Sequence, residues 1–220
     1  DVILLQEIKT RDISLQDIPQ GYHNRFIGQK SYNGVAILSK LEPIATKTIF
    51  FAQESLNNIS QNNDIDTNQD HLIEEARYIE VELPLSNGNN IILASVYVPN
   101  GTSVKSPKFS YKLNYYQELK NYMIKYLQQD KFFVLGGDFN VAPENIDVYD
   151  PEGMDGTLAF HIKERQRFRQ ILIEGFYDSF RLVHPQTQKF SWWDYRDKSS
   201  LENSKGMRID QILVTPNLAD

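Results

Sequence analysis

The chain has 220 residues, enough for one sizeable domain, and its 40% hydrophobic content with both charge signs present is the composition of a globular protein. It has no cysteine, which excludes structural disulfides, thiolate metal sites and a cysteine nucleophile. No apolar run is long enough to span a bilayer and no secretory leader is visible, so no membrane partner is expected and the cytoplasm is the expected compartment. The net charge of −6 argues only superficially against a nucleic-acid partner. Residues 53–82 hold eight acids and one base, which leaves 22 bases against 21 acids elsewhere, and phosphate binding follows local patches rather than totals.

In chain order, residues 2–5 read as a short buried strand, with Glu7 where the apolar run stops. Glu7 is either a solvated strand end or an oxygen ligand for a hard cation. Tyr32-Asn33-Gly34 precedes a second buried strand at 35–39, and Tyr32 is either a ligand-touching aromatic or a loop anchor. Residues 53–76 are polar and compositionally biased, and are expected to form a surface insertion. The Asp64-Ile65-Asp66-Thr67-Asn68 spacing lacks the glycine and glutamate of a calcium loop and is discounted. Residues 78–83 alternate as a strand, Asn87-Gly88 is a hairpin signal, and 91–98 form the partner strand, bringing Tyr97 to a strand end.

Residues 112–129 predict a helix whose stripe of Leu113, Tyr116, Leu119, Met123, Tyr126 and Leu127 packs on a sheet. Residues 131–135 then read as a buried central strand stopping at a tight turn made by Gly136-Gly137. At its end Asp138 and Asn140 stand two residues apart, so both point into the same space. The carboxylate can orient or deprotonate a water and the carboxamide can hold an anionic oxygen, unless both merely close an Asx turn. A loop at 145–151 and a helix at 162–173, stopped by Gly175, follow. Residues 176–182 predict a short strand or turn. Trp192 and Trp193 point to opposite sides if extended, one to the core and one to a pocket. Residues 206–214 predict one strand, inside which Asp210 needs a histidine or arginine partner.

Acids, amides and a tyrosine thus gather at strand ends, the pattern of a layered α/β sandwich with a site along one edge. The ordered blocks Leu-Gln-Glu-x-Lys (5–9), Tyr-Asn-Gly-Val-Ala (32–36), Tyr-Val-Pro-Asn-Gly (97–101), Gly-Asp-Phe-Asn (137–140), Phe-Ser-Trp-Trp-Asp-Tyr-Arg (190–196) and Arg-Ile-Asp (208–210) closely resemble the exonuclease III family. These are the bacterial apurinic/apyrimidinic endonucleases of the DNase I-like endonuclease/exonuclease/phosphatase superfamily. The resemblance implies a four-layered α/β sandwich of two packed mixed β-sheets flanked by helices. It implies a monomer that cleaves double-stranded DNA 5′ to abasic sites and digests 3′ ends, using Mg²⁺ with Mn²⁺ as a substitute. By the same resemblance Glu7 is the metal ligand, and Tyr97, Asp138, Asn140 and Asp210 are catalytic. Tyr32, Asn33, Asn100, Trp192, Met207 and Ile209 contact DNA, with Trp192, Met207 and Ile209 forming the wall that receives the flipped abasic sugar. The family also carries an earlier strand with an asparagine near the metal and a later Ser-Asp-His block with the catalytic histidine that Asp210 would orient. His23, His71, His161 and His184 match none of that block, so residues 1–220 are expected to be a single domain truncated at both ends. A catalytically silent nucleic-acid-binding relative and a small-molecule or lipid phosphoesterase are the alternatives.

Overall fold

The computed structural model describes residues 1–13, 18–49 and 75–219. The expected insertion therefore lies outside the described residues except for Glu75 and Ala76. These two belong to the domain: Ala76 is buried, and Glu75 accepts hydrogen bonds from Arg77 and Tyr111.

Two sheets pack against each other. The smaller is antiparallel and holds β1 (Val2–Gln6), β2 (His23–Ile27) and β3 (Val35–Ser39), with β3 in the middle. The larger has six strands, β4 (Ala45–Thr48), β5 (Tyr78–Pro84), β6 (Asn90–Tyr97), β7 (Phe132–Asp138), β8 (Tyr177–Asp178) and β11 (Asp210–Val214), ordered β4-β5-β6-β7-β11-β8. It is mixed, because β6 and β7 run parallel and need a helical crossover to join them. That crossover is α1 (Pro107–Gln128). The expected hairpin at Asn87-Gly88 joins β5 to β6, with Gly88 at φ 84° as such turns require. β9 (Trp192–Trp193) and β10 (Gly206–Met207) form a small ribbon. Among the described residues the other α-helices are α2 (Pro151–Met154), α3 (Ile162–Ile173), α4 (Ser179–Val183) and α5 (Ser199–Glu202).

Val35, Ile37, Ile79, Val81, Leu83 and Leu93 fill the space between the sheets. A second core lies on the other face of the large sheet, where α1 and α3 contribute Tyr115, Tyr116, Leu119, Met123, Phe168 and Ile171. The molecule is an α/β sandwich, the class expected from the sequence.

Four expectations are corrected. β1 is only half-buried, because beside it opens a groove of about 940 Å³ lined by Val2, Leu4 and Ile212 among others. α1 begins at Pro107, five residues before the helical stripe suggested, because Ser106 caps it by accepting from Lys108 N at 3.1 Å and proline suits the first turn. β7 runs through Gly136 and Gly137 instead of stopping at them. A Cβ on Gly137 would stand 2.0 Å from the Val96 carbonyl oxygen, and one on Gly136 2.5 Å from Leu4 Cδ1, so these glycines serve close approach rather than a turn. Finally, the expected 206–214 strand is two strands in two sheets. It breaks at Arg208, whose buried guanidinium bonds Asp147 at 2.7 Å and Asp178 at 2.7 Å while its amide donates to the Asp147 carbonyl at 2.8 Å.

Candidate active site

The sheet register assembles the site. In the parallel β6–β7 pair Tyr97 stands opposite Asp138, and in the antiparallel β11–β7 pair Asp210 stands opposite the same residue. Laterally paired residues project to one face, so a phenol and two carboxylates form a row across three strand ends.

Glu7 joins this row from the other sheet. The Tyr97 hydroxyl donates to Glu7 Oε1 at 2.6 Å, and Lys9 Nζ lies 2.6 Å from Oε2. Burial pushes the Glu7 pKa up, but the bonds from Lys9 and Tyr97 outweigh it and hold the carboxyl below its ordinary value. Glu7 and Lys9 both sit at φ 54°, in the left-handed region, which turns the chain sharply after β1. Lys9 N bonds the Asn33 carbonyl at 3.0 Å, so the turn is tied to the loop carrying Tyr32 and Asn33. Tyr32 is 74% exposed there, while Asn33 donates its side-chain amide to Gln29 at 2.8 Å.

Asn140, at φ 52°, is fixed on every side. Its backbone N–H donates to Asp138 Oδ1 at 2.7 Å, and its Nδ2 donates to Asp138 Oδ2 at 3.1 Å and to the Val98 carbonyl at 2.8 Å. Its Oδ1 accepts from Asn100 Nδ2 at 3.0 Å. The local bond from Asn140 N to Asp138 is the Asx turn that the sequence also allowed. The bonds to Val98 and Asn100, some forty residues away, go beyond it. Burial and the nearby Asp210 charge raise the Asp138 pKa to about 7, against the lowering pull of the Asn140 amide and Lys112. A carboxyl poised there can take a proton near neutrality.

Asp210 opens onto the groove, and crowding by the surrounding protein raises its pKa while a bond from Ser191 opposes the shift. Among the described residues Asp210 makes no ion pair, and the histidine that the family resemblance gives it belongs to the later Ser-Asp-His block, which none of the four histidines of this sequence matches. The Ser191 hydroxyl also accepts the Ile209 and Asp210 amides at 3.1 Å each, fixing where β11 begins. Trp192 and Met207 face each other across the β9–β10 ribbon and pack on Ile209, which is 4% exposed. Trp192 and Met207 are therefore partly exposed, and Ile209 lies buried in the cluster beneath them. Trp193 turns to Phe190, with ring centroids 6.3 Å apart.

Three residues escaped the sequence reading. Lys9 stood in a quoted block without a role. Arg77 lies over the Tyr97 ring, 4.8 Å from its centroid, and Nη1 donates to the Tyr97 carbonyl at 3.3 Å. Lys112 is wholly buried beneath Asn100 and Asn140. Lys112 had a signal: it falls on the same helical face as Tyr116, Leu119 and Met123, where a charge is out of place.

A hard carboxylate oxygen, ionised and partly exposed at a strand end, is the donor that Mg²⁺ accepts alongside water. Glu7 meets that description, and no group of three or more potential protein ligands exists among the described residues. Glu7 is thus a carboxylate that could hold a largely hydrated cation.

The whole chain, residues 1–220, matches the endonuclease/exonuclease/phosphatase family. The chain belongs to that family. Exodeoxyribonuclease III of Haemophilus influenzae is 32% identical over 231 residues, covering 100% of this chain and 79% of that protein. Among solved structures of the family, the 3′–5′ exonuclease of Neisseria meningitidis superposes with a TM-score of 0.79 at 32% identity, covering 100% of this chain and 78% of the other. An AP endonuclease from Archaeoglobus fulgidus gives 0.78 at 32% identity, with 100% and 77% covered.

Proposed function

We propose that this chain carries the active site of an exonuclease III-type nuclease of base-excision repair. It hydrolyses a phosphodiester 5′ to an abasic site, leaves a 3′-hydroxyl, and removes nucleotides from 3′ ends of duplex DNA. The observation that carries this reading is the row of Tyr97, Asp138 and Asp210 across adjacent strand ends, with the Asn100–Asn140 amide pair beside it. The relatives named as exodeoxyribonuclease III and AP endonuclease support it.

Asp138 orients the attacking water and accepts its proton. The Asn140 amide, exchanging its 3.1 Å bond to Asp138 Oδ2 for the substrate, holds a non-bridging phosphate oxygen, with Asn100 next to it. Tyr97 fixes Glu7 with its single hydroxyl proton and contacts the phosphate when that proton turns from Glu7 to a substrate oxygen. Asp210 sets the charge around Asp138. Glu7 would hold Mg²⁺, with Mn²⁺ as a substitute, and a bound cation there neutralises charge developing on the phosphate and leaving oxygen. Trp192 and Met207 accept a sugar without a base, which costs less to extrude than a complete nucleotide. Tyr32 and Asn33 contact the duplex beside Glu7. We place the enzyme in the cytoplasm as a monomer.

A substrate comparison tests the reading. A duplex with one abasic-site analogue and a duplex with a recessed 3′ end are cut, whereas p-nitrophenyl phosphate is not. Turnover of the small phosphoester alone would overturn it.

A further inference from the structure

We infer that Lys112 is a positioning residue for this cleavage: its ammonium clamps the backbone carbonyls of Asn100 and Asn140 and so fixes the separation of the two side-chain amides that hold the phosphate. The inference rests on the reading of the site given above. Lys112 Nζ donates to Asn140 O at 2.7 Å, to Asn100 O at 3.2 Å and to Glu164 Oε1. These three acceptors use all three ammonium protons. Neither Lys112 nor Glu164 has any exposed side-chain surface. Glu164 is itself anchored at the start of α3, where it accepts the His161 amide at 3.1 Å and the Ala159 amide at 3.3 Å. One turn along α1, the Tyr116 hydroxyl donates to the Phe139 carbonyl. The helix therefore grips two successive carbonyls of the segment that follows β7.

A buried ion pair is weak evidence for stability, because well-packed apolar residues of similar volume usually serve as well or better. On a face shared with Leu119 and Met123, an apolar side chain would satisfy packing. What it could not do is hold two carbonyls from two loops at once. Asn100 and Asn140 meet through their side chains at 3.0 Å and through Lys112 by their main chains, so the ammonium closes a second link between the loops. Asn140 also occupies the left-handed region, at φ 52°, and the clamp fixes the direction of its carbonyl there.

The test is steady-state cleavage of an abasic duplex by the full-length protein and by Lys112→Met/Glu164→Gln, a double variant that leaves no buried charge unpaired. The expected result is a kcat lower by about 100-fold, the scale of a misplaced holding group. KM for the duplex should stay within about threefold of wild type, since phosphate contacts away from the site dominate binding. The thermal midpoint should stay within about 5 °C. A double variant with wild-type kcat overturns the inference. So does one whose kcat deficit vanishes well below its melting temperature, because that marks a purely structural lysine. If this variant does not fold, Lys112→Gln/Glu164→Gln keeps a polar donor on α1 and is read by the same split. Wild-type protein that leaves the abasic duplex uncut removes the cleavage reading and this inference with it. Wild-type cutting with an unimpaired variant removes the inference alone.

Discussion

Asp138 is where the charges of the site are in tension. Its carboxyl lies beside Asp210, and burial together with that neighbour raises its pKa to about 7, while an unfolded aspartate releases its proton near its ordinary value. Between those two values the folded chain binds more protons than the unfolded one, so stability falls as pH rises through that window. Asp138→Asn relieves the penalty. In EDTA the variant should gain about 2–3 kcal/mol over wild type between roughly pH 5 and pH 8, because each tenfold change in a proton-binding constant is worth ~1.4 kcal/mol and the folded wild-type carboxyl keeps a proton that the unfolded one has lost across about two pH units of that window. Urea unfolding at the two pH values measures this, and an unchanged gap between them contradicts it. The same variant should lose cleavage by about 10²–10⁴-fold, the range of a lost general base. Tyr97→Phe acts through Glu7 instead. Without the 2.6 Å bond to Oε1 the carboxylate is held only by Lys9, so the Mg²⁺ concentration for half-maximal cleavage should rise and kcat should fall. A variant with a wild-type Mg²⁺ titration removes Tyr97 from the metal site. All the candidate residues were visible in the sequence as types at motif positions. Their partners were not, because Lys112 and Arg77 reach the site only through tertiary contact.

At the scale of elements, the long helix stripes and strand alternations gave the right types, whereas residues 179–182, expected as strand or turn, lie in α4 on the cap that Asp178 supplies; α3 matched residue for residue, with Gly175 as its stop. The other errors fell where two segments meet. Gly136 and Gly137 read as punctuation, yet the neighbouring β6 and β1 leave no room for a Cβ. Local sequence cannot report that crowding. Gly137→Ala, which also takes φ 151°, should destabilise the domain by roughly 3 kcal/mol or more, an overpacking cost with backbone strain added. A denaturant midpoint equal to wild type would mean that β7 does not pass β6 this closely. Likewise, the 206–214 run reads as one strand because Arg208 hides among apolar neighbours. Only its buried bonds to Asp147 and Asp178 show why the chain leaves one sheet and enters another.

At the scale of the molecule, the sandwich brings four distant sequence blocks to one edge. β6 and β7 deliver Tyr97 and Asp138, β11 delivers Asp210, and the smaller sheet supplies Glu7. No single block defines the site, and the order of all six carries the resemblance. The polar stretch at 55–73 lies apart from these strand ends in the sequence and carries three acids and no lysine or arginine, half of the net charge of −6. Its deletion should leave cleavage nearly unchanged, and a large loss would give it a role in catalysis or DNA binding. The most direct measurement uses the full-length protein and a labelled duplex with one abasic-site analogue, incubated with Mg²⁺ or with EDTA, beside the Asp138→Asn variant. A nick 5′ to the lesion with Mg²⁺ alone, and none from the variant, is the predicted result. DNA that is bound but never nicked, or nicked equally by the variant, contradicts a nuclease built around Asp138.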